Sequence, residues 1–193
     1  MTYQQSTPID ESNWFVVLFD LVLQECLKSI DGKTGTFLWL LSPYLTNFRL
    51  PPSWPSFASN ATYPVSDVEN FKDLMRLVVR HGVPVKIQCY PRATLATHQN
   101  ERVVENHEEF IDELYHIGCT ITLNPDNHSK LIACSQGALN SSANVTGQGA
   151  NPAKQGNSGD YFPFSAEPNS SYQAKLKQAE KWFNDNKTKV WRP

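Results

Sequence analysis

His128 and Lys130 stand two residues apart at the head of an apolar run, in the stretch Asn-Pro-Asp-Asn-His-Ser-Lys-Leu-Ile-Ala-Cys that begins at Asn124. Residues two apart in an extended chain point to the same side. An imidazole and an ammonium would therefore face one pocket together. Ser142 and Asn144 arrive from the next loop, over a turn at Gln136-Gly137. An imidazole can attack phosphorus, while a lysine and a carboxamide hold the non-bridging oxygens as charge builds on them. Residues of these types in this order point to phosphoryl transfer. His128 taken alone would more often be a hydrogen-bonded structural residue, so the weight rests on the set.

Such groups need a scaffold that brings strand ends and loops to one place. The pattern predicts a helix from Trp14 to Ile30, capped by Ser12 or Asn13 and apolar on most faces. Thr36–Ser42 reads as a strand covered on both sides. The following stretch, Pro43–Pro64, holds five prolines and reads as a long ordered loop. In it Tyr44, directly beyond the strand, is a candidate cleft residue, while Phe48, Trp54 and Phe57 are expected to bury the loop. Ser66 with Glu69 predicts a capping box for a helix to Arg80. Strands follow at Val83–Tyr90, Cys119–Asn124 and Ser129–Ser135, with a helix at Asn100–His116 closed by Gly118. In that helix Val103, Val104, Phe110, Ile111 and Leu114 should face inward, with His107 and His116 in solvent. Gly137–Asn140 reads as a turn and short strand, Lys154–Phe164 as a weak edge strand, and Ser170 or Ser171 caps a C-terminal helix within 170–187. Residues 1–11 read as a loose arm. No linker splits the chain, so residues 1–193 form a single α/β domain, and the alternation of helices with strands implies a mostly parallel central sheet.

Composition narrows the function classes. A net charge of −2 argues against a protein that coats nucleic acid through a broadly basic surface. No apolar run reaches the roughly 18 residues of a spanning helix, and the polar first residues do not read as a secretory signal. The Asn-Val-Thr sequon at Asn144 is therefore not expected to carry a glycan. Cys26, Cys89, Cys119 and Cys134 form no CxxC pair, which suits buried thiols in a reducing compartment rather than zinc ligands. The expected location is the cytoplasm. The basic and aromatic end, Glu180–Pro193, is a helix end with Trp182 packed inward more often than a nucleic-acid-touching tail.

The segment resembles the phospholipase D superfamily motif, HxK followed by GSxN. His128-Ser129-Lys130 matches the first part, and Ser141-Ser142-Ala143-Asn144-Val145-Thr146 matches the second, with Ser141 where the family usually has Gly. Phe37–Pro51 is similar to the first strand and the Ser-Pro-aromatic loop of compact members. His81–Pro91 resembles the helix end and second strand, and Leu114–Lys130 the run into the catalytic strand. The resemblance spans roughly residues 14 to 165 and implies a phospholipase D-like α/β/α sandwich. It departs in two places. The family usually carries Asp five residues after the Lys, where this chain has Ser135. It also has a downstream Glu that orients the nucleophilic His, and the nearest substitute here is Asp160.

The chain holds one HxK, since His81, His98, His107 and His116 are not followed by Lys two residues on. Family chemistry uses two, one His as nucleophile and one as general acid. The resemblance therefore implies a C2 homodimer with a composite site. It also implies phosphodiesterase activity without cofactor or metal, through a phosphohistidine. His128, Lys130, Ser142 and Asn144 are the expected catalytic residues, with Tyr44, Ser141 and Asp160 around the substrate. Small single-motif relatives often act on nucleic acid, in restriction and phage-defence settings, so a nuclease is the leading expectation. The alternatives are a lipid phosphodiesterase, and a non-catalytic subunit with partner proteins in a DNA-modification or defence system.

Overall fold

The computed structural model describes residues 7–9, 14–50, 68–149 and 158–193. Its elements, in chain order, are β1 (Thr7–Ile9), α1 (Trp14–Ile30), β2 (Leu38–Leu41), α2 (Phe71–Arg80), β3 (Val85–Cys89), α3 (Arg92–Leu95), α4 (Glu101–His116), β4 (Thr120–Leu123), β5 (Leu131–Cys134), β6 (Gly137–Ser141), β7 (Gly159–Pro163), α5 (Ser171–Phe183) and β8 (Lys189–Val190). The strands make one sheet in the order β1-β7-β6-β5-β2-β3-β4-β8.

The sheet is mixed, which corrects the expectation of a mostly parallel one. Among the strands of the described residues, only β2·β3 and β3·β4 pair in parallel. These are the two steps with a helix long enough to carry the chain back across the sheet, through α2 and α4. The sense reverses at β5, which pairs antiparallel with β2 and is reached from β4 by residues 124–130 alone, too few for a crossover. Residues Ser135 and Gln136 alone turn β5 into β6, and the two strands pair antiparallel. β7 then pairs antiparallel with β6, and β1 pairs antiparallel with β7. The expected loose arm thus supplies the edge strand, and the expected edge strand at Gly159–Pro163 lies one position inside it.

Side chains alternate across the sheet and divide the core in two. On one face Leu38, Leu40, Ile132 and Leu139 pack with Leu18, Phe19 and Val22 of α1, Phe71 and Leu74 of α2, and Phe110 and Leu114 of α4. On the other, Leu41, Leu131, Ala133 and Ala138 pack with Tyr172, Ala179 and Phe183 of α5. The layers are therefore helix, sheet, helix. Phe19, Phe71 and Phe110 are wholly buried, and burying a ring of that size stabilises the fold by about 1.5–3 kcal/mol. All four cysteines are buried free thiols. Trp182 is partly buried against the α5 cluster.

Local signals account for the helix ends. Asn100 accepts a hydrogen bond from the Val103 N–H and caps α4, and Ser170 does the same for α5 through the Gln173 N–H. Past α4, Gly118 turns the chain with φ at 105°, a left-handed conformation that favours a residue without Cβ. The start of α2 differs from the expectation. Its cap is Asn70, which accepts from the Asp73 N–H at 3.1 Å. Ser66, Trp54 and Phe57 lie outside the described residues. Phe48 is buried and stacks on Phe71 with ring centroids 5.1 Å apart.

Candidate active site

The segment between β4 and β5 is built by two asparagines. Asn124 is fully buried; its Oδ1 accepts the Asp126 N–H at 2.9 Å. Its amide donates to Thr188 at 3.0 Å and to Asp185 at 3.2 Å. Asn127, also buried, accepts the Ser129 N–H at 2.9 Å and donates to Gln88 Oε1 at 2.5 Å. Gln88 in turn donates to the Trp182 carbonyl at 3.0 Å and to Thr188 at 3.1 Å. Each asparagine closes a turn on its own backbone two residues on. The chain that presents His128 and Lys130 is thereby tied to β3 and to the end of α5. An ion pair between Lys187 and Asp126 adds an outer link.

His128 and Lys130 do share one side. The Lys130 Nζ lies 3.4 Å from the His128 Nδ1 and 3.4 Å from the His128 carbonyl oxygen. His128 is exposed and Lys130 half-buried. Desolvation lowers the pKa of His128 below the ordinary imidazole value, and the charges of Lys130 and His98 lower it further. Desolvation also lowers that of Lys130. Both effects on His128 favour the neutral imidazole, the form with a free lone pair.

The GSxN-like segment meets this pair from β6. The Ser141 N–H donates to the Lys130 carbonyl at 2.9 Å, and the Ser141 hydroxyl accepts the Ala143 N–H at 3.0 Å. Ser142 is exposed and takes a two-point bond to Ser158: its N–H donates at 2.9 Å and its hydroxyl accepts at 3.0 Å. Asn144 is half-buried, and its Oδ1 is buried with no hydrogen-bond partner among the described residues. An unpaired buried amide oxygen costs about 1–3 kcal/mol. The backbone beyond it is closely folded. A Cβ on Gly149 would stand 2.2 Å from the Asn144 carbonyl oxygen, so only glycine fits there.

Loops after β2 and β3 complete the same end. The Ser42 hydroxyl accepts the Val145 N–H at 3.1 Å and donates to the Tyr44 carbonyl at 2.8 Å. The Tyr90 N–H donates to the Pro43 carbonyl at 2.8 Å. Tyr44 packs, half-buried, against the cluster of Tyr90, Leu95 and Val104. The Tyr90 ring in turn lies 6.1 Å from the His128 ring, centroid to centroid.

His107 was expected in solvent and is fully buried. Its Nδ1 accepts the Leu45 N–H at 3.1 Å, and its Nε2 donates to the Tyr90 carbonyl at 3.4 Å. It ties both loops to α4. Burial lowers its pKa. The spacing Val104, His107, Ile111, Leu114 is the inward stripe of the helix, and that signal was available in the sequence. Val103, expected inward, is only half-buried.

Asp160 is not joined to His128. It sits in β7 directly opposite Asn140, which sits opposite Leu131. Residues paired across strands share a face, and Leu131 faces α5. Lys130, one residue earlier, points the other way by the same alternation. No hydrogen bond or ion pair connects Asp160 with His128 among the described residues.

Ser135, in place of the expected Asp, does meet a carboxylate. Glu25 of α1 is fully buried and accepts the Ser135 N–H at 3.1 Å, the Ser135 hydroxyl at 2.8 Å and the Phe37 N–H at 2.7 Å. Lys28 donates to the same hydroxyl at 2.6 Å. A cavity of about 700 Å³ opens beside this cluster, lined in part by Lys28, Ser135, Gln136 and Tyr172. It lies at the far end of β5 from Lys130.

No helix among the described residues is long and apolar enough to cross a membrane. No family model matches the chain, and no curated protein does. Among solved structures, a phosphatidylserine synthase from Haemophilus influenzae Rd KW20 superposes with a TM-score of 0.49 at 15% identity, over 96% of this chain. The chain spans about 40% of that protein's length. A likeness of this size assigns neither a family nor a substrate.

Proposed function

We propose that this chain is a metal-independent phosphodiesterase that uses His128 as its nucleophile, with a nucleic acid as substrate. The observation that carries the reading is the exposed His128 imidazole with the Lys130 ammonium 3.4 Å from its Nδ1. An anionic phosphodiester draws Lys130 onto a non-bridging oxygen and uncovers the ring lone pair. The amide of Asn144, unpaired at its oxygen, turns to offer its NH₂ group to another oxygen. Ser141 and Ser142 hold the loop that carries it.

In this reading the imidazole nitrogen attacks phosphorus and the P–O ester bond breaks. The departing oxygen takes a proton from a second, protonated imidazole, and a phosphohistidine ester is left on His128. Water then attacks the phosphorus, gives its proton back to the second imidazole, and releases a phosphate monoester with His128 restored. A twofold-related copy of the chain supplies the second imidazole as its own His128, the two facing rings sharing one proton so that one is neutral while the other is charged, and the reading includes a C2 homodimer. The metal's usual role of neutralising charge falls to Lys130 and Asn144.

The test is hydrolysis of bis-nitrophenyl phosphate with and without chelator. Turnover that survives the chelator and vanishes in His128→Asn supports the reading. A wild-type protein without turnover, or a His128→Asn protein with full turnover, rejects it.

A further inference from the structure

His98 has no part in the chemistry above, yet it belongs to the same end of the molecule. α3 leaves β3 directly after Tyr90, and Leu95 at its end packs into the cluster of Tyr90, Val104 and Tyr44. The His98 and Gln99 N–H groups both close on the Leu95 carbonyl, at 3.0 and 2.9 Å. Arg92, at the start of α3, is clasped by Glu101 and Glu108 of α4. The turn bearing His98 is thus fixed to the aromatic cluster on which the His128 ring rests. The His98 side chain is exposed, and its ring takes no hydrogen bond among the described residues. The electrostatic effect of His98 on His128 agrees with this placement at one end of the molecule.

We propose that His98 is a second substrate contact, its imidazole N–H donating to the phosphate next to the one attacked, which makes the preferred substrate a polynucleotide strand rather than an isolated phosphodiester. The inference rests on the reading of His128 as the reacting residue and adds a contact to a second phosphate of the strand. An imidazole keeps at least one N–H donor in either protonation state, so the contact does not depend on full charge. The exposed ring of His98, with no hydrogen bond among the described residues, suits an outer contact. The chain's net charge of −2 leaves such local donors to supply the grip on a backbone.

The experiment compares wild type with His98→Ala, an exposed substitution that leaves the core intact. Binding of a short single-stranded oligonucleotide is followed by fluorescence anisotropy, and turnover by bis-nitrophenyl phosphate hydrolysis. The expected result is an oligonucleotide Kd raised roughly 3- to 10-fold, with unchanged turnover of the small diester at a pH well above the acid limb of the profile. An unchanged Kd overturns the proposal, as does tight binding only to anionic lipid vesicles. A loss of kcat on small diesters that grows with poorer leaving groups also overturns it and makes His98 the proton donor. If wild type binds the oligonucleotide, weakens on His98→Ala, and hydrolyses nothing, the contact stands and the catalytic reading falls.

Discussion

The Lys130 ammonium lies 3.4 Å from the His128 ring nitrogen and equally far from the His128 carbonyl oxygen. A cation in that place acts in two directions. It disfavours the imidazolium, and it waits beside the point where a phosphate would dock. Removing it as Lys130→Met is expected to raise the His128 pKa, read from the ring proton shifts in an NMR titration. The same variant should lower kcat on a phosphodiester by on the order of 10²–10³. A titration midpoint that does not move would mean that the ammonium does not face the ring in solution.

The pH profile follows from the direction of the His128 shift. Its pKa in the folded protein is lowered by desolvation first and by Lys130 and His98 after that. The attacking form is the neutral ring, so kcat/KM should fall on the acid side only as pH drops below the ordinary imidazole value of about 6.5. In Lys130→Met that acid limb should move to higher pH. A wild-type limb above the ordinary value would contradict the assigned field.

His107 links stability to pH. It is buried, accepts from Leu45 and donates to Tyr90, and its folded pKa is lowered by burial. The unfolded chain therefore binds a proton more readily than the folded one. Its contribution is fully present above the unfolded value of about 6.5 and declines as pH falls through the window between that value and the lowered folded one. His107→Ala should cost about 2–4 kcal/mol at neutral pH by denaturant unfolding. It should also flatten the loss of stability on the acid side. An equal acid slope in both proteins would sink this assignment.

Glu25 and Ser135 should be energetically coupled. Glu25→Ala leaves the N–H groups of Phe37 and Ser135 without their acceptor, at a cost of about 1–3 kcal/mol each. Ser135→Asp alone should also destabilise, because it sets a second carboxylate against a buried one. Combined, the two substitutions should unfold later than the sum of the singles predicts, with a coupling of about 0.5–3 kcal/mol. Additive behaviour in urea melts would show that the two positions do not share one carboxylate site.

Much of this arrangement was legible in the residues themselves. Trp14–Ile30 coincides with α1, because an apolar run of that length flanked by Asp31-Gly32 leaves little choice. Asn100 and Ser170 announce their helices through cap chemistry. What escaped depends on tertiary partners. β8 has two residues and exists because Thr122 and Leu123 offer it an edge; β1 likewise leans on Gly159–Tyr161. The sheet's mixed sense begins with the short connections on either side of β5, which apolar runs do not reveal. In the site, His128 and Lys130 could be paired from their spacing alone. The buried bonds of Asn124, Asn127 and Gln88 join residues far apart in the chain, and only the Asn-Pro-Asp-Asn turn chemistry hinted at them. Asp160 is the nearest acidic residue downstream of Asn144, but strand register puts it on the opposite face from Lys130.

The most direct test of the account is to catch the covalent intermediate. The protein is mixed with bis-nitrophenyl phosphate, quenched in alkali, which preserves a phosphohistidine, and digested for peptide mass spectrometry. The account predicts a nitrophenyl-phosphoryl adduct on the peptide holding His128, formed within one turnover and absent from His128→Asn. Steady turnover with no adduct on that peptide, or with the adduct on another residue, would contradict it.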